Sequence, residues 1–191
     1  LHLCDQHLEH IKHDKITRHN LLADVCEAAK FEAESLEKYR GQYQLNNSDV
    51  NINICTELAR SFADIGDIIR GRDLYGGSKK EKEKRDELDD KLKEIFAKIH
   101  SGLSTKNGKK SAKEYYKDDT DGNYYQLRED WWALNRQDVW EAITCNDDKK
   151  LRDASYFRPT CGGGKSSTDD KCRCNDNQVP TYFDYVPQYL R

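Results

Sequence analysis

The sequence predicts an all-α fold, a helical bundle stapled by disulfide bonds. Apolar residues recur at helical spacing in four long segments, which are separated by polar, turn-like segments. Hydrophobic residues make up 36% of the 191 residues and charged residues 35%, which suits a thin helical core under a heavily solvated surface. The seven cysteines, spread over predicted helices and loops, are typical of a disulfide framework in an oxidising, extracellular setting.

The first two helices are predicted from periodic apolar residues and from signals at their ends. Asp14 or Thr17 can cap a helix that runs to about Arg40, where Gly41 favours a stop. A second helix is expected over about 51–70, and Gly71 ends it. Its apolar residues alternate steps of three and four, and they are Cys55, Leu58, Phe62, Ile65 and Ile69.

The third and fourth helices complete the predicted bundle. The third is expected over about 79–100, with a core face of Leu88, Leu92, Ile95, Phe96 and Ile99. The fourth, over about 124–145, carries all three tryptophans, and its predicted apolar face is Leu127, Trp131, Leu134, Val139 and Ile143. Large aromatic side chains dominate core energetics, so we expect one core that buries Phe62, Ile65, Leu92, Phe96 and Trp131 together.

The remaining segments are predicted to lack long helices. Residues 101–123 carry Gly, Ser, Asn, Asp and Lys without periodicity, which indicates a loop. Residues 145–178 are rich in cysteine and glycine. Residues 179–187 form an extended aromatic segment between Pro180 and Pro187, because proline is not tolerated in a helix interior.

The sequence gives no indication of an enzyme. It has no Gly-x-Ser-x-Gly motif and no cysteine beside an obvious base. Residues 162–166, with the letters GGGKS, resemble the end of a phosphate-binding loop. However, Pro159 stands where that motif requires glycine, and no strand precedes it, so nucleotide binding is not expected.

No metal or other cofactor is expected either. Cys161, Cys172 and Cys174 include a Cys-x-Cys pair rather than the gap of two to four residues that zinc sites use, so disulfides are favoured. Five of the six histidines lie within the first nineteen residues, but no second cluster of ligands accompanies them. Solvated histidines are therefore the favoured interpretation.

Two basic clusters are the candidate binding sites. The net charge of -3 implies no attraction of the whole chain to nucleic acid. One cluster has no acid between its members, which are Lys106, Lys109, Lys110 and Lys113. The other is interleaved with glutamates and includes Lys79, Lys80 and Lys84. We predict that the first cluster, with the second as a secondary contributor, binds a sulfated glycan, and solvated surface charge is the alternative.

Three groups of residues resemble the motifs of a known family. They are residues 59–71 (ARSFADIGDIIRG), the run from 124 to 145 that holds the tryptophans, and residues 170–191 around Cys172 and Cys174. Together they resemble the alpha class of Duffy-binding-like domains. That class heads the variant erythrocyte membrane protein 1 family of the malaria parasite Plasmodium falciparum.

The resemblance implies how the chain is organised. Such domains are helical and consist of three subdomains, of which residues 1–15 resemble the end of the first and residues 16–191 the second, a helical bundle. The chain is therefore expected to be a piece of a longer surface-displayed polypeptide. On the same grounds the bundle is expected to end at the boundary with a third subdomain that is missing from the sequence.

The resemblance also implies a function in host-cell adhesion. Such domains lie on the extracellular face of the infected erythrocyte, and a distant transmembrane segment of the parent protein anchors them. Their expected partners are host erythrocyte or endothelial surface receptors, sulfated glycans such as heparan sulfate, and host antibodies. Alpha-class domains are associated with rosetting, the binding of uninfected red cells. The alternative is an antigenically variable structural head domain without a receptor site of its own.

The resemblance finally suggests a pairing of four cysteines. It implies one bond between Cys26 and Cys145 and another between Cys55 and Cys161. The residues alone leave open a swap that joins Cys26 to Cys161. Cys4 is expected to lack a partner within this chain, and the pairing of Cys172 and Cys174 stays open.

Overall fold

The computed structural model describes residues 18–46, 53–74, 77–103, 112–116, 119, 122–145 and 151–191. Its four long helices are α1 (Arg18–Asn46), α2 (Ile54–Arg70), α3 (Lys79–Ser101) and α5 (Tyr125–Ile143), and a short helix α4 (Ala112–Tyr115) precedes α5. The chain beyond α5 contains a turn at Cys161–Gly164 and 3-10 helices at Phe183–Tyr185 and Gln188–Leu190. Within these ranges no strand occurs, and the predicted all-α fold is confirmed.

Helix α5 packs against the other three long helices and provides the centre of the core. Phe62 of α2 lies between two of its tryptophans, with ring centroids 5.1 Å from Trp132 and 5.2 Å from Trp140. Trp131 meets the ring of Phe96 from α3 edge-on at 6.1 Å. The five residues expected to be buried together all belong to one buried cluster, which confirms the predicted core.

The close approach of α2 and α5 depends on a glycine. A Cβ atom at Gly66 would lie 2.8 Å from ring carbons of Trp132, a distance that real Cβ contacts do not reach. Any larger residue at this position would push the tryptophan away from α2. The sequence motif around Gly66 therefore reflects packing between the two helices.

The helix ends follow local hydrogen-bonding rules. The side chain of Asn53 accepts a hydrogen bond from the Thr56 amide at the start of α2, and Gly71 ends that helix in the left-handed conformation at φ 69°. Ser78 and Glu81 form a capping box at the start of α3. Helix α5 is capped from a distance, because the carboxylate of Asp119 accepts from the amides of residues 126 and 127 at 3.2 and 2.9 Å.

Two expectations about helix extent and burial were wrong. Helix α1 does not stop at Gly41 but continues to Asn46, since a glycine in an exposed helical position costs only about 1 kcal/mol. Leu134 was expected on the buried face of α5, but its side chain is 63% exposed. The buried face is rotated away from it, because polar and aromatic side chains occupy its centre: Arg128, Trp132, Asn135 and Trp140.

The predicted disulfide between Cys55 and Cys161 was also wrong. Cys55 is bonded to Cys172, and Cys161 is bonded to Cys174. The segment at 172–173 is held against the end of α5, where the indole of Trp140 donates to the carbonyl of Cys172 at 3.2 Å and the Arg173 guanidinium donates to Thr144 at 2.8 Å. Because α5 packs on α2, this placement brings Cys172 rather than Cys161 to Cys55.

The predicted bond between Cys26 and Cys145 does not form either. Both are free thiols, Cys26 half-buried on α1 and Cys145 exposed after α5. The Cys26 thiol donates to the carbonyl of Asp138 at 3.8 Å, and burial, with Asp138 nearby, raises its pKa to about 11. Cys26 thus meets the middle of α5, about two helical turns from Cys145. Cys4 lies outside the described residues.

None of the described helices is long and apolar enough to cross a membrane. The helices are instead amphipathic or mixed in character, and each long helix has polar exposed positions. The subdomain boundary after residue 15 falls outside the described residues and stays a prediction.

Candidate functional site

The main predicted lysine cluster falls largely outside the described residues. Lys106, Lys109 and Lys110 lie in 104–111, and Lys113 belongs to α4, but its side chain is not described. Their role in binding therefore stays a prediction from the sequence. The structure nevertheless places α4 just before α5, on the segment that leads from α3 to the tryptophan helix.

The secondary cluster lies on the first turns of α3. Lys79, Lys80 and Lys84 are all exposed there. Lys79 approaches Glu83 at 4.0 Å, but both side chains are mostly in solvent, so this pair contributes little. The carboxylate of Glu81 bonds to the amide and hydroxyl of Ser78 at 2.8 and 2.7 Å and thus serves the cap.

The position of these lysines is unfavourable for the helix itself. The first turn of a helix carries a partial positive charge, and acidic side chains stabilise it. Helix α3 has one acidic residue in its first turn, Glu81, but it begins with Lys79 and Lys80, and Lys82 and Lys84 follow by its second turn. The helix dipole therefore does not account for Lys79 and Lys80, and the side chains of all four lysines are exposed.

A second region concentrates charge in the interior, where the C-terminal strip (residues 179–191) meets α2 and α5. The carboxylate of Asp184 is buried and accepts from the Trp132 indole at 2.9 Å. The guanidinium of Arg136 binds the same carboxylate through both of its oxygens, each at 2.8 Å. This bidentate geometry neutralises the carboxylate and fixes the strip against α5.

Two further arginines join the strip to α2. Arg70 is buried and donates to the Asp67 carboxylate at 2.9 Å and to the Asp184 carbonyl. Arg191 donates to Asp64 at 3.0 Å and to the second oxygen of Asp67. Burial lowers the pKa of Arg70 and of Arg191 below the usual arginine value, although nearby carboxylates oppose that shift.

The other buried arginine, Arg128 of α5, holds the end of α2 against α3. Arg128 donates to the carbonyl groups of Ile69 at 2.6 Å and Ile68 at 3.0 Å, the C-terminal positions where a cation is favoured. It also donates to Asp89 of α3 at 2.8 Å. Burial alone would raise the pKa of Asp89, but the charges of Arg128 and Lys93 outweigh it, and the net shift is downward.

Sequence reasoning missed this interior network. No role was assigned to Arg128, Arg136 or Asp184 from the sequence. Asp184 is 52 residues from Trp132 and 48 from Arg136, so no local spacing indicates that they meet. The available sign of the network is that α5 has polar residues at buried positions. Those positions can be recognised as buried only once the orientation of the helix is known.

The chemistry of the two regions is binding and support rather than catalysis. In the interior network the charged groups are matched to one another, which favours a structural role. Among the described residues no group of three or more His, Cys, Asp and Glu side chains could hold a metal ion. Exposed cations at the start of α3 can attract an anionic partner, with a range of about 8 Å at physiological salt.

Comparison with known proteins gives one family and several solved structures. The family model described as the Duffy binding domain matches residues 1–191. A crystal structure of the NTS-DBL1(alpha-1) domain of Plasmodium falciparum membrane protein 1 (PfEMP1) from the varO strain is 40% identical over 99% of this chain, with a TM-score of 0.73. A search of curated protein sequences found no match.

Two further structures extend the comparison to domains with a bound or known receptor. The ICAM-1-binding PfEMP1 IT4var13 DBLbeta domain is 32% identical over 100% of this chain, with a TM-score of 0.68. A PfEMP1 DBLb domain bound to human ICAM-1 is 28% identical over 99% of this chain, with a TM-score of 0.65. The chain spans 40%, 39% and 36% of the three solved chains, in the order given.

Proposed function

The chain belongs to the Duffy binding domain family, and from that membership we propose that it is an adhesion module that binds host receptors on the extracellular face of an infected red cell. The predicted resemblance to the alpha class is confirmed by the similarity to DBL1-alpha structures. Duffy-binding-like domains are adhesion modules and not enzymes, which agrees with the absence of a catalytic motif in the sequence.

The similar structures support a host surface protein as one class of partner. Two of them are domains that bind ICAM-1, and their fold is shared with this chain at 28–32% identity. Because the chain spans less than half of those domains, their contacts with ICAM-1 are not carried over to its residues.

For the described residues, the partner that we propose is a sulfated glycan such as heparan sulfate. The observation that carries this proposal is the lysine-rich start of α3, where Lys79 and Lys80 are exposed in the first turn, which disfavours cations, and Lys84 is exposed in the next turn. Lys106, Lys109, Lys110 and Lys113 are proposed to add to the same polyanion contact. Rosetting, and recognition by host antibodies, are part of this proposal.

The test is elution from a heparin column across a salt gradient. One variant replaces the four cluster lysines at 106, 109, 110 and 113 with serine, and a second replaces Lys79, Lys80 and Lys84. We expect both to elute at lower salt than the parent, with the larger shift for the first, because counterion release scales with the number of lysines that contact the polyanion. Binding to uninfected red cells should fall in the same order.

A matched control separates a site from bulk charge. Lys30 and Lys38 are exposed lysines on α1, and Lys98 is exposed at the far end of α3, so replacing them removes the same charge as the second variant. The control should elute close to the parent. Equal shifts for all three-lysine variants, or none for any variant, would reject the glycan site and favour the alternative, a variable structural head domain.

A further inference from the structure

A groove lies where the C-terminal half of α1 passes the start of α2, and the function proposed above does not use it. Its cavity volume is about 500 Å³, which is within the range of sites that hold a ligand or a partner side chain, roughly 300–1,000 Å³. We call it the α1–α2 groove. The side chains that decide its chemistry are Leu36, Tyr39, Arg40, Tyr43, Ile54 and Glu57.

The floor and rim of the α1–α2 groove suit an apolar anchor. Leu36 and Ile54 are buried and belong to the core cluster, so the floor is rigid. Tyr39 and Tyr43 stand one helical turn apart at the rim, and 63% and 49% of their surfaces are exposed. Tyrosines beside an apolar floor are typical of the residues that dominate protein–protein binding.

The polar feature of the groove is an unsatisfied cation. The Nε atom of Arg40 is buried, and no acceptor among the described residues binds it. The other charged side chain of the groove, Glu57, pairs with Arg60 at 3.3 Å. The Nε atom itself is closed to an occupant, but Arg40 as a whole is only half-buried, so a carboxylate in the groove can accept from the remaining N–H groups of the guanidinium.

We propose that the α1–α2 groove is a docking site for a segment of a partner protein that carries an apolar side chain next to a carboxylate. The apolar side chain fills the space over Leu36 and Ile54, and the carboxylate accepts from Arg40. Charge complementarity selects this occupant, because a basic segment would leave Arg40 without an acceptor and add repulsion. The site is independent of the lysines proposed to bind glycan.

The experiment uses the isotope-labelled chain and short peptides as probes, followed by NMR. The probe is N-acetyl-Phe-Glu-amide, and its matched controls are N-acetyl-Phe-Gln-amide, N-acetyl-Ala-Glu-amide and N-acetyl-Phe-Lys-amide. We expect the probe to shift the amide signals of Leu36, Arg40 and Ile54 with a dissociation constant on the order of 1 mM. Each control should bind at least about fivefold more weakly, since each removes one determinant.

Variants then assign the contact to the groove. Arg40→Gln should weaken binding of the probe about tenfold, as expected for loss of a charge-assisted hydrogen bond. Lys38→Gln removes a nearby exposed charge that does not line the groove and should leave binding unchanged. Tyr39→Ala is a second groove variant. Because its side chain is partly exposed, we expect this variant to fold, and circular dichroism checks that it does.

Several outcomes would overturn the proposal. The proposal fails if the Lys peptide binds as well as the Glu peptide, or if the shifts are confined to other parts of the chain. It also fails if Lys38→Gln and Arg40→Gln weaken binding equally. Sedimentation tests whether a second copy of the chain covers the groove. A dimer that is lost in Arg40→Gln, together with no response to the peptides, would also reject a heterologous partner.

Discussion

The junction of α2, α5 and the C-terminal strip carries its positive charge inside the molecule, whereas the start of α3 carries its positive charge in solvent. At the junction, Arg70 and Arg136 contact buried carboxylates, and removal of one partner would leave the other without compensation. At the start of α3, Lys79 and Lys80 are exposed, so they lose little contact with water on folding. The two regions therefore separate the charge that stabilises the fold from the charge that is available to a partner.

The comparison also explains why arginine and lysine are not distributed alike. Arginine presents a planar fork that binds a carboxylate through two bonds, as Arg136 does with Asp184. Lysine is a compact and strongly hydrated charge, and it suits the solvent-facing turns of α3. Among the described side chains arginine is found both buried, as at Arg70, and exposed, as at Arg72, whereas no lysine is buried.

The largest effect is expected from the disulfide that ties the interior junction. Replacing Cys55 and Cys172 with serine opens a connection that spans 117 residues, and the chain-entropy model gives a loss of up to about 5 kcal/mol. The bond between Cys161 and Cys174 spans 13 residues, and its removal should cost about 3 kcal/mol. Urea denaturation of the two double variants measures both; equal losses would contradict the difference between long and short connections.

The next effect tests the aromatic core beneath the same junction. Phe62→Ala removes the ring that lies between Trp132 and Trp140, and it should lower the free energy of unfolding by about 3–5 kcal/mol. Phe157→Ala is the control, because that ring is 46% exposed, and its loss should stay below about 1 kcal/mol. A melting temperature for Phe62→Ala within a degree or two of the parent would reject this core.

A third prediction addresses the interior charge directly. Asp184→Ala leaves the Trp132 indole and the Arg136 guanidinium without their acceptor, and it should destabilise the fold by about 3 kcal/mol. Asp169→Ala removes an exposed carboxylate near the same part of the chain and should change stability by less than about 0.5 kcal/mol. Similar values for the two variants would show that the buried network contributes little.

The sequence predicted the parts of the fold that depend on local pattern. The buried face of α2 was predicted correctly because Phe62 and Ile65 belong to a regular alternation of three- and four-residue steps. The end of α2 was predicted correctly because Gly71 can adopt the left-handed conformation that stops a helix. The start of α3 followed in the same way from its polar flank. These signals lie within a few residues of the feature that they determine.

Features that depend on long-range placement could not be predicted. Leu134 was assigned to the core because it is apolar and Arg128 is charged. Arg128 is nevertheless buried, because it has hydrogen-bond partners on α2 and α3. The same limit explains the cysteines. Cys172 reaches Cys55 only because Arg173 and Trp140 hold its segment on α5, and those contacts have no sequence pattern of their own.

The smallest expected effect on stability comes from the exposed cations. Replacing Lys79, Lys80 and Lys84 with serine should leave the free energy of unfolding unchanged or raise it slightly, because the two cations in the first turn, Lys79 and Lys80, oppose the helix dipole by about 0.3–1 kcal/mol each at low salt. The gain should shrink as salt screens the charges. Urea denaturation at low and high salt measures it. A loss above about 1 kcal/mol would mean that these lysines support the fold, and it would remove the physical reason for assigning them to a partner.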